Sequence, residues 1–370
     1  MSAVKKIVVH TDGLDFPIFI GAGLLSQAGF HAKKIIRGKK IALISDSHVA
    51  PLYLKACQSA LQKAGFYVHP ILMPAGETHK TVSTASRLWG ELIRAGLHRD
   101  DGVVALGGGV VGDVASFVAA TYMRGIKLIQ IPTTVVGQVD SSIGGKTGVD
   151  HPLGKNLIGA FYQPELVLID PQLLVTLPAR EVRNGLAEII KYGVIGDARF
   201  FQFLEKNRAA LASGRVRLRD LPLWEKIITL SASMKAKVVS HDEKEGDLRR
   251  ILNYGHTFGH AIETATAYRK FLHGEAVSIG MVAAARMAVK AGLLHPSEAA
   301  RLESLLSAVG LPVSWKKGNR KKIIALMGRD KKVKAGKVHF VLPYRIGSVV
   351  VRGDLPNRLV KQSVESVTRG

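Results

Sequence analysis

Two histidines, His256 and His260, stand four positions apart in the segment LNYGHTFGH at residues 252–260. On a helix, this spacing places both imidazoles on one face. Such a pair can share a metal ion, act together in catalysis or pack in a core, and the spacing alone does not decide between them. No glutamate follows the first histidine, so the base of the HExxH zinc motif is missing.

Other polar residues occur inside apolar segments of the second half. Glu188 and Lys191 lie in GLAEIIKYG, Asn253 precedes the histidine pair, and His273 and Glu275 lie in FLHGEAVSIG. With the pair they offer two imidazoles and a carboxylate, a set that can hold catalytic zinc with an open coordination position. Each can also be a satisfied polar residue in a core, and spacing does not tell which two histidines would bind.

A glycine-rich loop, GGGVVGD at residues 107–113, follows the apolar run VVAL and opens a helical stretch. It matches G-x-G-x-x-G, so its backbone can approach a pyrophosphate at a helix N-terminus, where the dipole favours anions. The alternative is a tight strand-to-helix turn. No acidic residue follows at the usual distance, which leaves Asp46, at the end of KIALISD, as the ribose acceptor or as a helix N-cap.

A second polar loop, IPTTVVGQVDSSIGGKTGVD at residues 131–150, combines hydroxyls, aspartates and glycines with apolar residues that indicate partial burial. Lys155 and Asn156 follow closely. Lysines and amides around glycines suit a phosphorylated ligand, whereas ordinary surface-loop chemistry is the alternative.

The elements that must position these residues differ between the two halves. The first half alternates β-branched runs with helical patterns, which predicts a parallel sheet covered on both faces, with ligands at the carboxyl ends of the strands. The opening forty residues could add an antiparallel hairpin, and KVHFVLP with SVVVRG a small two-stranded element. We predict an α/β N-terminal Rossmann-like domain over residues 1–172 and a mainly α-helical C-terminal domain over residues 173–370.

Composition limits the classes of function without selecting one. Lys and Arg outnumber Asp and Glu by 52 to 29, which suits nucleic acid, a membrane surface or acidic substrates. The densest basic run, KKGNRKK, lacks aromatic residues, so a solvated face is favoured and no nucleic-acid partner is expected. The sequence has a single cysteine, Cys57, and shows no long apolar stretch and no apolar leader. We therefore predict a cytoplasmic protein without a membrane partner.

Six segments, taken in order, resemble those of the 3-dehydroquinate synthase family of sugar-phosphate cyclases. They are the glycine loop, the TT…DSS…GGKTG loop, LGKNLIGAFYQP, AEIIKYG, LNYGHTFGHAIE and HGEAVSIGM. The resemblance implies NAD binding by the first domain and an active site between the two domains. It also implies one zinc or cobalt ion held by Glu188, His256 and His273. His260 is then a substrate-side group.

The resemblance further implies a set of NAD contacts, some of which also border the substrate. One position departs from the family, because His48 stands where an asparagine is frequent. The implied contacts are Asp46, Gly76, Glu77, Lys80, Gly108, Gly109, Val110, Val111, Gly112, Asp113, Thr133, Thr134, Asp140, Ser141, Lys146, Lys155, Leu173 and Thr176.

The implied substrate side is mostly cationic, which suits a ligand with both a carboxylate and a phosphate. In a homodimer, Arg124 would reach the neighbouring subunit's site. The implied residues are Lys146, Asn156, Lys191, Lys235, Arg249, Asn253, His260 and one lysine of RDKK, Lys331 or Lys332.

By resemblance, the reaction converts 3-deoxy-D-arabino-heptulosonate 7-phosphate to 3-dehydroquinate and phosphate in the shikimate pathway. It proceeds by transient oxidation, elimination, re-reduction, ring opening and aldol closure. A sister cyclase acting on sedoheptulose 7-phosphate or glucose 6-phosphate is the alternative, but Lys235, Arg249 and Asn253 would be superfluous for a substrate without a carboxylate. A metal-dependent polyol dehydrogenase would not need the phosphate-binding lysines.

Overall fold

The computed structural model describes residues 3–327, 333–334 and 337–369. The chain forms two compact units, one comprising Met1–Leu177 with Val216–Lys244 and the other Pro178–Arg215 with Glu245–Gly370. The first unit contains a parallel sheet with helices and the second is mostly helical, which confirms the predicted fold class.

A seven-stranded sheet in the order β1-β2-β9-β6-β5-β3-β4 forms the centre of the first unit. The first two strands pair antiparallel, as the predicted hairpin, and the other pairings are parallel. The strands of this unit are β1 Lys5–Val9, β2 Phe16–Ile20, β3 Lys40–Asp46, β4 Tyr67–Met73, β5 Gly102–Gly107, β6 Lys127–Pro132, β7 Lys146–His151, β8 Gly154–Phe161 and β9 Leu166–Ile169.

Helices cover both faces of this sheet. Alternate residues of a strand point to opposite faces, and accordingly Ala42 and Ile44 join one buried cluster while Ile41 and Leu43 join another. The first cluster includes residues of α3 Val82–Arg94 and α4 Gly109–Thr121, and the second includes residues of α1 Ala28–Lys33 and α2 Lys55–Lys63. The central strands β3, β5 and β6 are therefore buried on both faces along nearly their whole length.

The polar loop predicted over residues 131–150 is partly a strand. Its last residues form β7, which pairs antiparallel with β8. The two strands lie close at a pair of glycines, because a Cβ on Gly159 would lie 2.0 Å from the Thr147 carbonyl oxygen and one on Gly148 would lie 2.6 Å from that of Ile158. Glycine and polar residues carry little strand propensity, so the sequence pattern did not indicate this hairpin.

The two units interleave along the chain, and this differs from the single boundary predicted at residue 172. After α5 Ala179–Gly196, α6 Ala198–Lys206 and α7 Arg208–Ala212 in the second unit, the chain returns to the first unit with α8 Leu221–His241. Helix α8 packs against β1 and β2 and against the turn Gly137–Ser141. A helical pattern identifies a helix but not the core against which it packs, so the sequence did not reveal this return.

In the second unit, α10 (His273–Lys290) packs against α5, α9 (His256–Ala265) and α13 (Asn357–Thr368). Among the described helices, none is long and apolar enough to cross a membrane. The predicted two-stranded element is confirmed as β12–β13. The remaining elements are α9 His256–Ala265, α10 His273–Lys290, α11 Pro296–Ala308, α12 Arg320–Met327, β10 Val333–Lys334, β11 Lys337–Val338, β12 Phe340–Arg345, β13 Ser348–Arg352 and α13 Asn357–Thr368.

Candidate metal and cofactor sites

Three helices of the second unit bring a carboxylate and two imidazoles together. Glu188 lies in α5, and His256 and His273 are the first residues of α9 and α10. Glu188 Oε1 lies 3.4 Å from Nε2 of each histidine. Tetrahedral zinc with bonds of about 2.0–2.1 Å requires ligand atoms about 3.3–3.4 Å apart, so these separations match a zinc or cobalt site.

The three ligand atoms are held in a largely buried environment. Glu188 is fully buried and His256 is 8% exposed. Each ring is also fixed at its other nitrogen, since His256 Nδ1 lies 3.0 Å from the Tyr254 carbonyl oxygen and His273 Nδ1 lies 3.4 Å from both oxygens of Glu263. Burial favours the neutral ring, but Glu263 and Glu188 together raise the pKa of His273 to about 10. A metal ion must therefore displace a proton from this ring.

A second group, His260, Glu263 and His273, also places its potential ligand atoms within 4.8 Å of one another, as the first group does. The two groups share His273. The rings of His256 and His260 stack edge to face with centroids 5.5 Å apart, so the pair does lie on one helical face. Glu263 was not among the site residues predicted from the sequence, although its spacing of seven from His256 indicates the same face.

Two predicted substrate-side cations of the second unit are fully buried. Lys191 Nζ lies 2.5 Å from Glu188 Oε2, and both side chains are at most 1% exposed. Arg249 is 1% exposed, within the turn Leu248–Asn253. Asn253, at the end of this turn, donates from Nδ2 to Glu245 Oε1 at 3.0 Å. Lys191 thus lies beside the Glu188 carboxylate, and buried cations such as Lys191 and Arg249 suit an anionic ligand.

Glu275, which the sequence also singled out, has a structural role. Its carboxylate accepts the Leu272 N–H at 2.9 Å and two hydrogen bonds from Arg180, each at 2.8 Å. These contacts cap the first turn of α10. The cap holds the helix end that presents His273.

In the first unit, the glycine loop joins β5 to α4 through Gly108 alone. A Cβ on Gly107 would lie 2.6 Å from the Val111 side chain, and one on Gly108 would lie 2.9 Å from the Thr134 side chain, so a larger residue at either position would force its neighbour to shift. The N–H groups of Gly109, Val110 and Val111 lie in the first turn of α4, where helix geometry leaves them without an intrahelical acceptor. This turn can bind a pyrophosphate.

The carboxyl ends of β3, β5 and β6 lie side by side, because these strands are neighbours in the sheet. Asp46 ends β3, and Thr133 and Thr134 follow β6. Within the described chain, the buried Thr133 Oγ1 has no hydrogen-bond partner. A dinucleotide at this edge would meet a ribose acceptor, the glycine loop and a free hydroxyl, so the residues fit NAD.

Asp46 caps the turn after β3, because its Oδ1 accepts the N–H groups of His48 and Val49 at 2.8 and 2.9 Å. The predicted helix N-cap role is not confirmed, because the N-cap of the following helix Ala50–Leu54 is Val49, and ribose binding stays a prediction. Asp46→Asn keeps the cap and should weaken NAD binding about tenfold, through loss of the charged acceptor. Asp46→Ala should in addition lower the free energy of unfolding by about 1 kcal/mol. Calorimetric NAD titration and urea unfolding measure both effects, and unchanged NAD affinity in both variants would refute ribose binding.

A cluster of charged and polar side chains surrounds Lys80 in the first unit, and Lys80 itself is 3% exposed. Its Nζ contacts the Asp113 carboxylate and lies 2.6 Å from Asn156 Oδ1. Lys155 Nζ lies 2.7 Å from Glu77 Oε1. Predicted NAD contacts from the loop after β4, from α4 and from β8 are therefore linked in one network.

Two further groups of predicted contacts lie in the first unit. Lys235 of α8 pairs with Asp140 at 2.5 Å, and both side chains are largely buried. Leu173 and Thr176 are joined by Tyr53, whose hydroxyl lies 3.0 Å from the Leu173 carbonyl oxygen and 2.6 Å from Thr176 Oγ1.

The other predicted contacts are less enclosed. Lys146 is exposed at the start of β7, and Ser141 is partly exposed. Gly76, with a φ of 106°, and Gly112, in α4, complete the glycine positions. Arg124 is exposed in a turn with a φ of 62°. Lys331 and Lys332 lie outside the described residues.

One known protein family matches most of the chain. Residues 70–184 match the family described as 3-dehydroquinate synthase N-terminal, and residues 185–333 match 3-dehydroquinate synthase C-terminal. A 3-dehydroquinate synthase from Desulforamulus reducens is 48% identical over 350 residues, which are 94% of this chain and 96% of that protein.

Two solved structures are similar along nearly the whole chain. A 2-epi-5-epi-valiolone synthase from Streptomyces hygroscopicus subsp. jinggangensis, with NAD+ and Zn2+ bound, has a TM-score of 0.88 and 29% identity, and the match covers 98% of this chain and 99% of that one. A 2-deoxy-scyllo-inosose synthase complexed with carbaglucose-6-phosphate, NAD+ and Co2+ has a TM-score of 0.88 and 27% identity, with 98% and 100% covered.

Both cofactors in these structures are ones that the residues of this chain fit. The sequence relatives are markedly more identical to this chain than the two sister cyclases, and they span nearly its full length. The chain belongs to the 3-dehydroquinate synthase family.

Proposed function

We propose that the residue sets of the two units carry out the reaction of this family. The chain converts 3-deoxy-D-arabino-heptulosonate 7-phosphate to 3-dehydroquinate and phosphate, using NAD and one divalent metal, Zn2+ or Co2+. The observation that carries the residue assignment is the position of Glu188 Oε1, 3.4 Å from Nε2 of both His256 and His273.

Glu188, His256 and His273 would hold the metal. When bound, the metal would supply Lewis-acid chemistry, and NAD would supply an acceptor and donor of hydride. Lys191, 2.5 Å from the second oxygen of Glu188, orients that carboxylate through a charge-assisted hydrogen bond. This pairing leaves Oε1 directed towards the two imidazoles.

The NAD set is proposed for the first unit. The first turn of α4 takes the pyrophosphate, Asp46 accepts from the ribose hydroxyls, and Thr133 Oγ1 offers a buried hydroxyl to the dinucleotide. The network of Lys80, Asp113 and Asn156 fixes the loop after β4 against α4.

The substrate-side residues are divided between the units. Lys146, Asn156 and Lys235 belong to the first, and Lys191, Arg249, Asn253 and His260 belong to the second. Cations in these positions would bind the carboxylate and the phosphate, because a desolvated anion needs several charge-assisted donors. His260 would orient the substrate and stabilise developing charge rather than act as a strong base.

The oligomeric state, the cellular location and the role of Arg124 are proposals that rest on the family resemblance. We propose a cytoplasmic homodimer in which Arg124 acts across the subunit boundary. The exposed, left-handed turn of Met123 and Arg124 supports this role, since non-glycine residues rarely adopt positive φ without a functional or packing reason. The molar mass in solution tests the dimer.

The function is tested by phosphate release from 3-deoxy-D-arabino-heptulosonate 7-phosphate. Release should require NAD, stop after treatment with a chelator and return on addition of Zn2+ or Co2+. Sedoheptulose 7-phosphate and glucose 6-phosphate should react at least about 100-fold more slowly, because they lack the carboxylate. Faster release from either of these sugar phosphates would instead support a sister cyclase.

A further inference from the structure

Glu263 is a buried carboxylate to which the reaction described above assigns no role. It lies in α9 and is 8% exposed. Burying a carboxylate costs several kcal/mol unless it is paired. Its two oxygens each lie 3.4 Å from Nδ1 of His273. The described contact of this carboxylate is therefore with a proposed metal ligand.

His273 lies between two carboxylates. Its Nε2 is 3.4 Å from Glu188 Oε1, and its Nδ1 is 3.4 Å from Glu263. In the neutral ring, a hydrogen bond from Nδ1–H to Glu263 leaves the lone pair on Nε2, which is the atom that faces Glu188. The carboxylate thus selects the ring tautomer that can bind a metal.

The two histidines of the site are fixed in different ways. His256 Nδ1 lies 3.0 Å from the backbone carbonyl oxygen of Tyr254, which a substitution cannot remove. His273 depends on a side chain seven residues after His256, on the same face of α9. Helix α9 therefore supplies one metal ligand directly and orients another through Glu263.

We propose that Glu263 is a positioning residue for the metal site, whose carboxylate holds His273 by accepting the Nδ1 hydrogen bond. The proposal rests on the assignment of Glu188, His256 and His273 as the metal ligands. It predicts an effect on metal affinity and metal geometry, in addition to an effect on turnover.

The test compares Glu263→Gln and Glu263→Ala with a matched control, Glu205→Gln. Glu205 is a partly buried carboxylate of the same unit that accepts two hydrogen bonds from Arg301, at 3.0 and 2.6 Å, and belongs to neither group of potential metal ligands. Zinc affinity is measured by chelator competition on the full chain, and the visible absorption spectrum is recorded on the Co2+-loaded protein.

We expect Glu263→Ala to weaken zinc binding about 10- to 100-fold, and Glu263→Gln, which keeps an acceptor oxygen, to weaken it less. The Co2+ spectrum should change in both, because the orientation of His273 changes. The control should bind zinc within about twofold of the unaltered protein, because distant sites act independently. If the alanine variant fails to fold, the zinc affinity and the Co2+ spectrum of the glutamine variant decide whether Glu263 positions His273.

Unaltered zinc affinity and an unaltered Co2+ spectrum in Glu263→Gln would overturn the proposal. So would a stoichiometry of two zinc ions per chain that falls to one in the variant, because Glu263 would then be a ligand itself. The metal site is tested separately by His256→Ala. If that variant loses zinc while the Glu263 variants do not, only the positioning role fails.

Discussion

Replacing His256 with alanine should strip the protein of its metal ion, whereas replacing His260 should leave the metal in place. His256 Nε2 lies 3.4 Å from Glu188 Oε1, so its loss removes one of three proposed ligands. We expect turnover to fall about 10³-fold or more in His256→Ala, since Lewis-acid stabilisation contributes several kcal/mol. In His260→Ala, turnover should fall about 10²-fold through loss of charge stabilisation.

The measurement is zinc content per chain after dialysis, together with phosphate release. The two variants form a matched pair, because both remove an imidazole from the same face of α9, and the two rings are 5.5 Å apart. Equal zinc loss in both variants would contradict this division of roles. Zinc loss in His260→Ala but not in His256→Ala would favour the second group, in which His260 takes part with Glu263 and His273.

Replacing Gly280 with alanine should destabilise the second unit by about 3 kcal/mol. A Cβ at this position of α10 would lie 2.0 Å from the Gly255 carbonyl oxygen and 2.9 Å from the Gly259 N. Both neighbours are backbone atoms, which cannot rotate away. Because Gly255 directly precedes His256, separating the two helices should also weaken zinc binding.

Gly90→Ala is the control for this change. Gly90 lies inside α3, and the nearest atoms to an added Cβ are the end of the flexible Arg94 side chain, at 3.5 Å or more. Alanine there should be neutral or stabilise by up to about 1 kcal/mol, because it reduces the freedom of the unfolded chain. Urea unfolding of the metal-free proteins measures both. A Gly280 variant as stable as the control would show that α9 and α10 can separate at little cost.

Much of the fold and part of the site follow from local patterns. Three features depend only on residues close in sequence. They are the apolar runs of β3, β5 and β6, the glycine loop after β5 and the shared helical face of His256 and His260. Their propensity and periodicity are therefore visible without the rest of the chain. The position of the glycine loop at the carboxyl edge of the sheet also follows, because parallel strands align these ends.

Other features depend on contacts between residues far apart in sequence. Spacing left open which histidines join Glu188, since this depends on the angle and separation at which α5, α9 and α10 pack. The return of α8 to the first unit and the β7–β8 pairing likewise depend on contacts that no local pattern records.

The sequence by itself determined the helical faces, the parallel sheet and the residue types that can bind an anion, a dinucleotide and a metal. Only the tertiary structure decided that Glu263 contacts His273 and that Asp46 caps a turn. The reason is physical: helix and strand patterns arise from neighbouring residues, whereas a site requires several elements to meet. Where they meet is set by close packing, as at Gly280, to within a few tenths of an ångström.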